Sequence, residues 1–175
     1  MRQTFSFISF LLSFLACFSQ STEVKTYYAS GELKEVYEIT VDSIKHGEYI
    51  IYYENGNVWQ KGKFNESKLF GKWIMNYPNG QIEQTCKFID GKLEGELIAY
   101  YPSGDLYQKI IYKNDLKHGQ EKSFYTGNRV KDITTWKEGK YDGKFVSFYK
   151  DTLNNDSIVQ KVINYNNGLL EGRVI

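Results

Sequence analysis

Proline, cysteine and histidine each occur only twice in this chain of 175 residues. Cys17 and Cys86 permit at most one bridge, so no disulfide framework holds the fold. His46 and His118, each directly before a glycine, lie too far apart in the repeat pattern described below to share a metal or a proton, and they read as polar turn residues. Charge of one sign is missing as well: 22 basic and 21 acidic residues leave a formal net charge of +1, which argues against a nucleic-acid partner held through phosphates. H-x-x-x-H, paired-cysteine and G-x-S-x-G motifs are absent. The sequence therefore predicts no catalytic residue, no metal ligand set and no cofactor.

Aromatic residues are abundant instead, at 17% of the chain with 15 tyrosines, beside an ordinary 41% hydrophobic and 25% charged content. Aromatic side chains suit a pleated, half-buried surface, which points to strands. No 3.6-residue apolar period appears after the first twenty residues.

Residues 1–19 differ from the rest. Arg2 precedes the apolar run "FSFISFLLSFLACF", and the chain turns charged at Glu23. The run is too short to span a bilayer and resembles a secretory signal peptide with cleavage before Gln20, so residues 20–175 form the expected mature, exported protein. Lipidation of Cys17 in "FLAC" is the competing reading, and the only one that brings a membrane into play. After cleavage Cys86 has no partner within the chain.

The mature region repeats itself. "GEYIIYYENG", "GKWIMNYPNG" and "GELIAYYPSG" begin at Gly47, Gly71 and Gly95, and looser copies begin at Gly119 and Gly143, each 24 residues after the last; Gly172 follows after a longer interval. The same period aligns Tyr53, Tyr77, Tyr101, Tyr125 and Tyr149 in one column, and Phe64, Phe88, Tyr112, Trp136 and Tyr165 in another. A fixed period of this size marks a stacked array whose units cover one another. Each unit reads as two strands around a tight turn. Asn55-Gly56, Asn79-Gly80 and Ser103-Gly104 suit two-residue type I′ loops, and Gly127-Asn128 suits type II′. That geometry sets Tyr53 opposite Val58, Ile51 opposite Gln60 and Tyr49 opposite Gly62 on one face, with Lys61 and Lys63 on the other. The expectation is an all-β, elongated array of about six antiparallel β-hairpins in a single twisted sheet of about eleven strands, roughly 50 Å long.

At "GKWIMNYPNGQIEQTCKFIDGKLEG" the pattern resembles the bacterial variant of the MORN repeat, and the resemblance runs from Tyr27 to Gly172 in about six units. It implies a non-enzymatic β-hairpin array. Many bacterial relatives carry the label of a YwqK-family antitoxin, so neutralising a toxin by direct contact is the alternative function it implies; MORN repeats elsewhere are linked with scaffolding and membrane lipids.

The candidate binding surface is a column of glutamines, Gln60, Gln84 and Gln108, preceded by Glu35 and followed by Asp132 and Lys161. Tyr53, Tyr77 and Tyr101 on one side, and Phe64, Phe88 and Tyr112 on the other, would wall it; Trp59 adds an exposed ring. Aromatic faces and amides together suit an envelope glycan or an extended stretch of a protein partner. The competing reading is structural: amides satisfying one another in a ladder, and aromatic columns tying hairpins together. Asp42-Ser43-Ile44, Asp151-Thr152-Leu153 and Asp156-Ser157-Ile158 resemble Asp-Ser/Thr-aliphatic O-glycosylation acceptors of exported bacterial proteins.

Overall fold

The computed structural model describes residues 21–150 and 158–172; the leader, Cys17 and most of the "KDTLNNDSI" insertion lie outside the described residues. No helix occurs among the described residues. The first strands are β1 (Thr22–Tyr27), β2 (Leu33–Ile39), β3 (Lys45–Tyr52), β4 (Val58–Asn65), β5 (Lys68–Asn76) and β6 (Ile82–Ile89). Two short pieces, β7 (Lys92–Leu93) and β10 (Leu116–Lys117), precede β8 (Gly95–Tyr100) and β11 (Gly119–Phe124), with β9 (Leu106–Lys113) between them. The rest are β12 (Val130–Lys137), β13 (Lys140–Phe148), β14 (Val159–Asn166) and β15 (Leu169–Glu171).

The 15 strands among the described residues form one antiparallel sheet whose path runs in sequence order through all but β7 and β10; β7 pairs with β6 and β10 with β9, while β6 goes on to pair with β8 and β9 with β11. The ladder is longer than the eleven strands expected, about 60 Å at the usual strand spacing. The expected all-β hairpin array is the fold.

The expected turns change places. At the Tyr-x-x-Gly corner, the Gly56 amide donates to the Tyr53 carbonyl at 2.9 Å and the Tyr53 amide donates to the Asn57 carbonyl at 2.8 Å. Gly56 has φ +83°, whereas Asn55, Asn79 and Ser103 are not in the left-handed region. A type I′ loop needs positive φ at both central residues, so this corner is a longer loop closed by a glycine bulge. At the fifth corner Gly127 and Asn128 both have positive φ, which excludes type II′. The two-residue type I′ loops sit at the other end of the strands, where Asp90-Gly91 has φ +52° and +80° between the paired residues Ile89 and Lys92. Glu66-Ser67 and Asn114-Asp115 adopt the same form without glycine, which hides it from turn propensity.

Two bonded seams run along the edges of the sheet. On one, tyrosine hydroxyls reach the next hairpin: Tyr53 donates to the Asn76 carbonyl at 2.8 Å, Tyr77 to Tyr100 at 2.7 Å, Tyr101 to Phe124 at 2.8 Å and Tyr125 to Phe148 at 3.1 Å. On the other, each loop amide reaches the preceding unit, as Gly91 to the Leu69 carbonyl at 3.0 Å and Gly139 to the Lys117 carbonyl at 2.9 Å. Each bond is worth about 1 kcal/mol net, so the period itself is what stitches the units together.

The buried side chains Trp73, Cys86, Leu97 and Ile110 all stand on one face, here the core face. Phe64 and Phe88 stand opposite the repeat glycines Gly47 and Gly71 and close over this cluster, with edge-on ring contacts to Trp73 at 5.7 and 6.0 Å. At Gly71, φ of +70° puts the strand through a bulge that slips the pairing with β4 by two residues, from Lys63–Phe70 to Lys61–Ile74. Any residue with a Cβ pays for that conformation.

Candidate functional site

Strand pairing assembles the glutamines into a continuous row across the core face. Gln60 pairs with Ile51 and Met75, Gln84 with Met75 and Ala99, and Gln108 with Ala99 and Ser123; Asp132 then pairs with Ser123 and Ser147, and Ser147 with Lys161. Each hairpin supplies two strands, so successive glutamines stand two strand spacings apart, about 10 Å. An amide ladder is therefore not formed: Met75 and Ala99 separate the amides, and no amide-to-amide bond links the three glutamines. The intervening residues shrink along the row, from Ile51 and Met75 to Ala99, Ser123 and Ser147. The row begins with large side chains and ends with small ones, a trough in side-chain height.

The trough opens where the apolar pattern breaks. In the fifth unit Lys117 takes the place of Leu69 and Leu93, and Glu121 the place of Trp73 and Leu97. Glu121, with 12% of its side chain exposed, accepts from Gln108 Nε2 at 2.6 Å and pairs with Lys117 Nζ at 2.8 Å. Lys117 Nζ also lies 4.4 Å from the Trp136 ring centroid, a cation–π contact. Beside them the Ser123 hydroxyl donates to Asp132 Oδ2 at 2.8 Å, and Thr134, across from Glu121, is buried. Trp136, Tyr141 and Tyr165 form a stack at 4.2 and 5.0 Å alongside. The Trp136 indole N–H is buried without a partner.

The tyrosine wall is not where pairing by a two-residue loop would put it. A bulge in every hairpin pairs Tyr52, not Tyr53, with Val58, and Tyr100, not Tyr101, with Leu106. The Tyr53 ring instead lies 5.9 Å from Trp59, and Tyr101 5.1 Å from Tyr107. Trp59 and Tyr107 alternate with Gln60 and Gln108 and so stand on the outer face, 40% and 45% exposed. Burial and the charge of Glu83, another outer-face residue, raise the Tyr53 and Tyr77 hydroxyls above their ordinary pKa. The structure thus places Gln60, Gln84 and Gln108 on the face of the Phe64 and Phe88 column, and sets Tyr53 and Tyr101 against the outer-face aromatics, with Glu83 in the equivalent position beside Tyr77.

Residues 45–66, 71–90 and 93–114 match the family model of the MORN repeat variant. Three units are MORN-like. No curated protein matches the chain. The MORN matches begin with β3 and run to the end of β9, and the polar break at Lys117 and Glu121 falls just beyond them. MORN repeats are a binding module rather than a generally enzymatic one, and among the described residues no group of three or more His, Cys, Asp or Glu side chains could hold a metal ion. Both oxygens of Glu121 are engaged by donors from within the chain, and Asp132 accepts from Ser123.

Sequence reasoning located the glutamine column but not the polar cluster. The signal that could have found it was the column of Tyr49, Trp73, Leu97 and Phe145, broken only by Glu121. His46 and His118 stand in strand-end positions three units apart, without a shared partner.

Proposed function

We propose that the chain is a non-enzymatic, exported repeat module that binds a protein or an envelope glycan along the core-face row from Gln84 to Lys161. One observation carries this reading: the residues between the polar positions shrink to Ala99, Ser123 and Ser147 while the polar side chains continue through Gln108, Asp132 and Lys161. Small side chains at these positions give up contacts that larger ones would make, and a purely structural row gains nothing by that. Export is supported by Arg2 and the apolar run that follows it.

The test is to refill the trough. Ser123→Met with Ser147→Met places in the fifth and sixth units the side chain that Met75 already presents in the third, so the fold is expected to survive. Capture of envelope protein or polysaccharide by the purified chain should drop at least tenfold. Undiminished capture by a normally melting variant would remove this row from consideration.

A further inference from the structure

Lys109 and Lys122 stand directly opposite each other on the outer face of β9 and β11. Both are half-buried, and neither has a carboxylate within 4.0 Å among the described residues. Like charges placed across a strand pair repel and destabilise it. Glu121 and Asp132, the carboxylates of β11 and β12, face the core side, and β9 has none; Glu96 of β8 lines the same outer-face hollow but makes no ion pair with either lysine among the described residues. Lys144 is a further exposed outer-face lysine on β13; in the earlier units the facing pair Lys72 and Lys87 is exposed to solvent, and the outer face there also carries Glu48, Glu83 and Glu96. The row that starts at the lysine pair continues across the strands as Ile133, Val146 and Val162, all half-buried.

We propose that this outer-face patch docks an acidic, extended segment of a partner protein, with its carboxylates on Lys109 and Lys122 and its apolar side chains on Ile133 and Val146. Charge complementarity selects an anion, and paired lysines next to an aliphatic row select one whose charge stops where apolar groups begin. A phosphodiester or polyuronate chain would lay further charge over Ile133 and Val146. The two charges of the pair become an asset when the partner's carboxylates lie between them.

The experiment uses the full chain and a fluorescein-labelled peptide bearing two glutamates followed by alternating valine and threonine, read by anisotropy, with heparin and phosphatidylserine vesicles as competing probes. The peptide should bind, weaken as salt is added, and lose about tenfold in affinity on Lys109→Gln or Lys122→Gln. Both variants should melt at or above the parent temperature, because each removes a like-charge contact. Unchanged peptide affinity in both variants, a lower melting temperature of either, or preference for heparin or vesicles over the peptide would overturn the proposal. Refilling the core-face trough leaves this binding unchanged, which separates the two faces.

Discussion

The indole of Trp73 lies on the bare α-carbon of Gly62. A Cβ built at Gly62 would fall 2.2 Å from Trp73 Cδ2, far inside contact distance. Gly62 does not have a positive φ, so this glycine is required by what covers it and not by its backbone. Trp73 is the most buried large side chain of the core, 3% exposed, and it gathers Tyr49, Phe64 and Phe88 around it.

Gly62→Ala should therefore displace the indole and cost about 1–3 kcal/mol, the usual toll of overpacking. Trp73→Leu, which copies Leu97 of the next unit, should recover part of that loss in the double variant. Urea denaturation of the four chains checks the coupling; additive losses would mean that the two residues do not press on one another.

The tyrosine seam makes a graded prediction. Tyr77→Phe keeps the ring and removes the donor to the Tyr100 carbonyl, so about 1 kcal/mol should go, measured by thermal melting. Tyr101→Phe should cost about the same. The effects of substitutions in separate units should nearly add if each unit is held by its neighbours.

Alkaline pH should destabilise the array. Tyr49, Tyr53 and Tyr77 have hydroxyls raised above the ordinary value of 10.0, chiefly by burial, with the Glu35 hydrogen bond next for Tyr49 and the charge of Glu83 next for Tyr53 and Tyr77. Their folded forms hold protons that the unfolded chain releases, so the stability they contribute is complete below pH 10 and is lost as pH rises from there through the folded values. Melting temperature recorded from pH 8 to 11 should begin to fall near pH 10, and the fall should be smaller in Tyr49→Phe.

Cys86 should behave as a reporter of unfolding. Its thiol is buried and its pKa is pushed up from 9.0 by burial, partly offset by a hydrogen bond from Gln84. Reaction with a thiol reagent should be negligible in the folded chain and become fast with denaturation. Rapid labelling of the native protein would contradict the packing against Trp73.

The Lys117–Glu121 pair separates stability from recognition. Glu121→Leu alone leaves the Lys117 charge half-buried without its partner and should cost about 1–3 kcal/mol, while Lys117→Leu with Glu121→Leu should be close to neutral or stabilising. Circular dichroism melts check the sign. Loss of partner capture in the stable double variant would place the polar cluster at the binding surface.

Much of this protein was decided by the period alone. A 24-residue recurrence of glycine, tyrosine and aromatic positions leaves one solution, hairpins stacked in a row, because no single unit can bury its own aromatic face. The pairs Ile51–Gln60 and Met75–Gln84 followed directly from it, as did the solvated side carrying Lys61 and Lys63. What the tertiary structure alone decided was anything that depends on a bulge. One extra residue per hairpin moved Tyr53 beside Trp59, and a slip of two residues at Gly71 set the indole of Trp73 over Gly62. The loops exchanged types because Glu66-Ser67 and Asn114-Asp115 accept positive φ once turn amides bond to the preceding unit, a tertiary gain that local propensity does not contain. The meeting of Gln108 with Glu121, and of Lys109 with Lys122, belongs to the same category: both lie between hairpins, where register is set by the packing of one unit against the next.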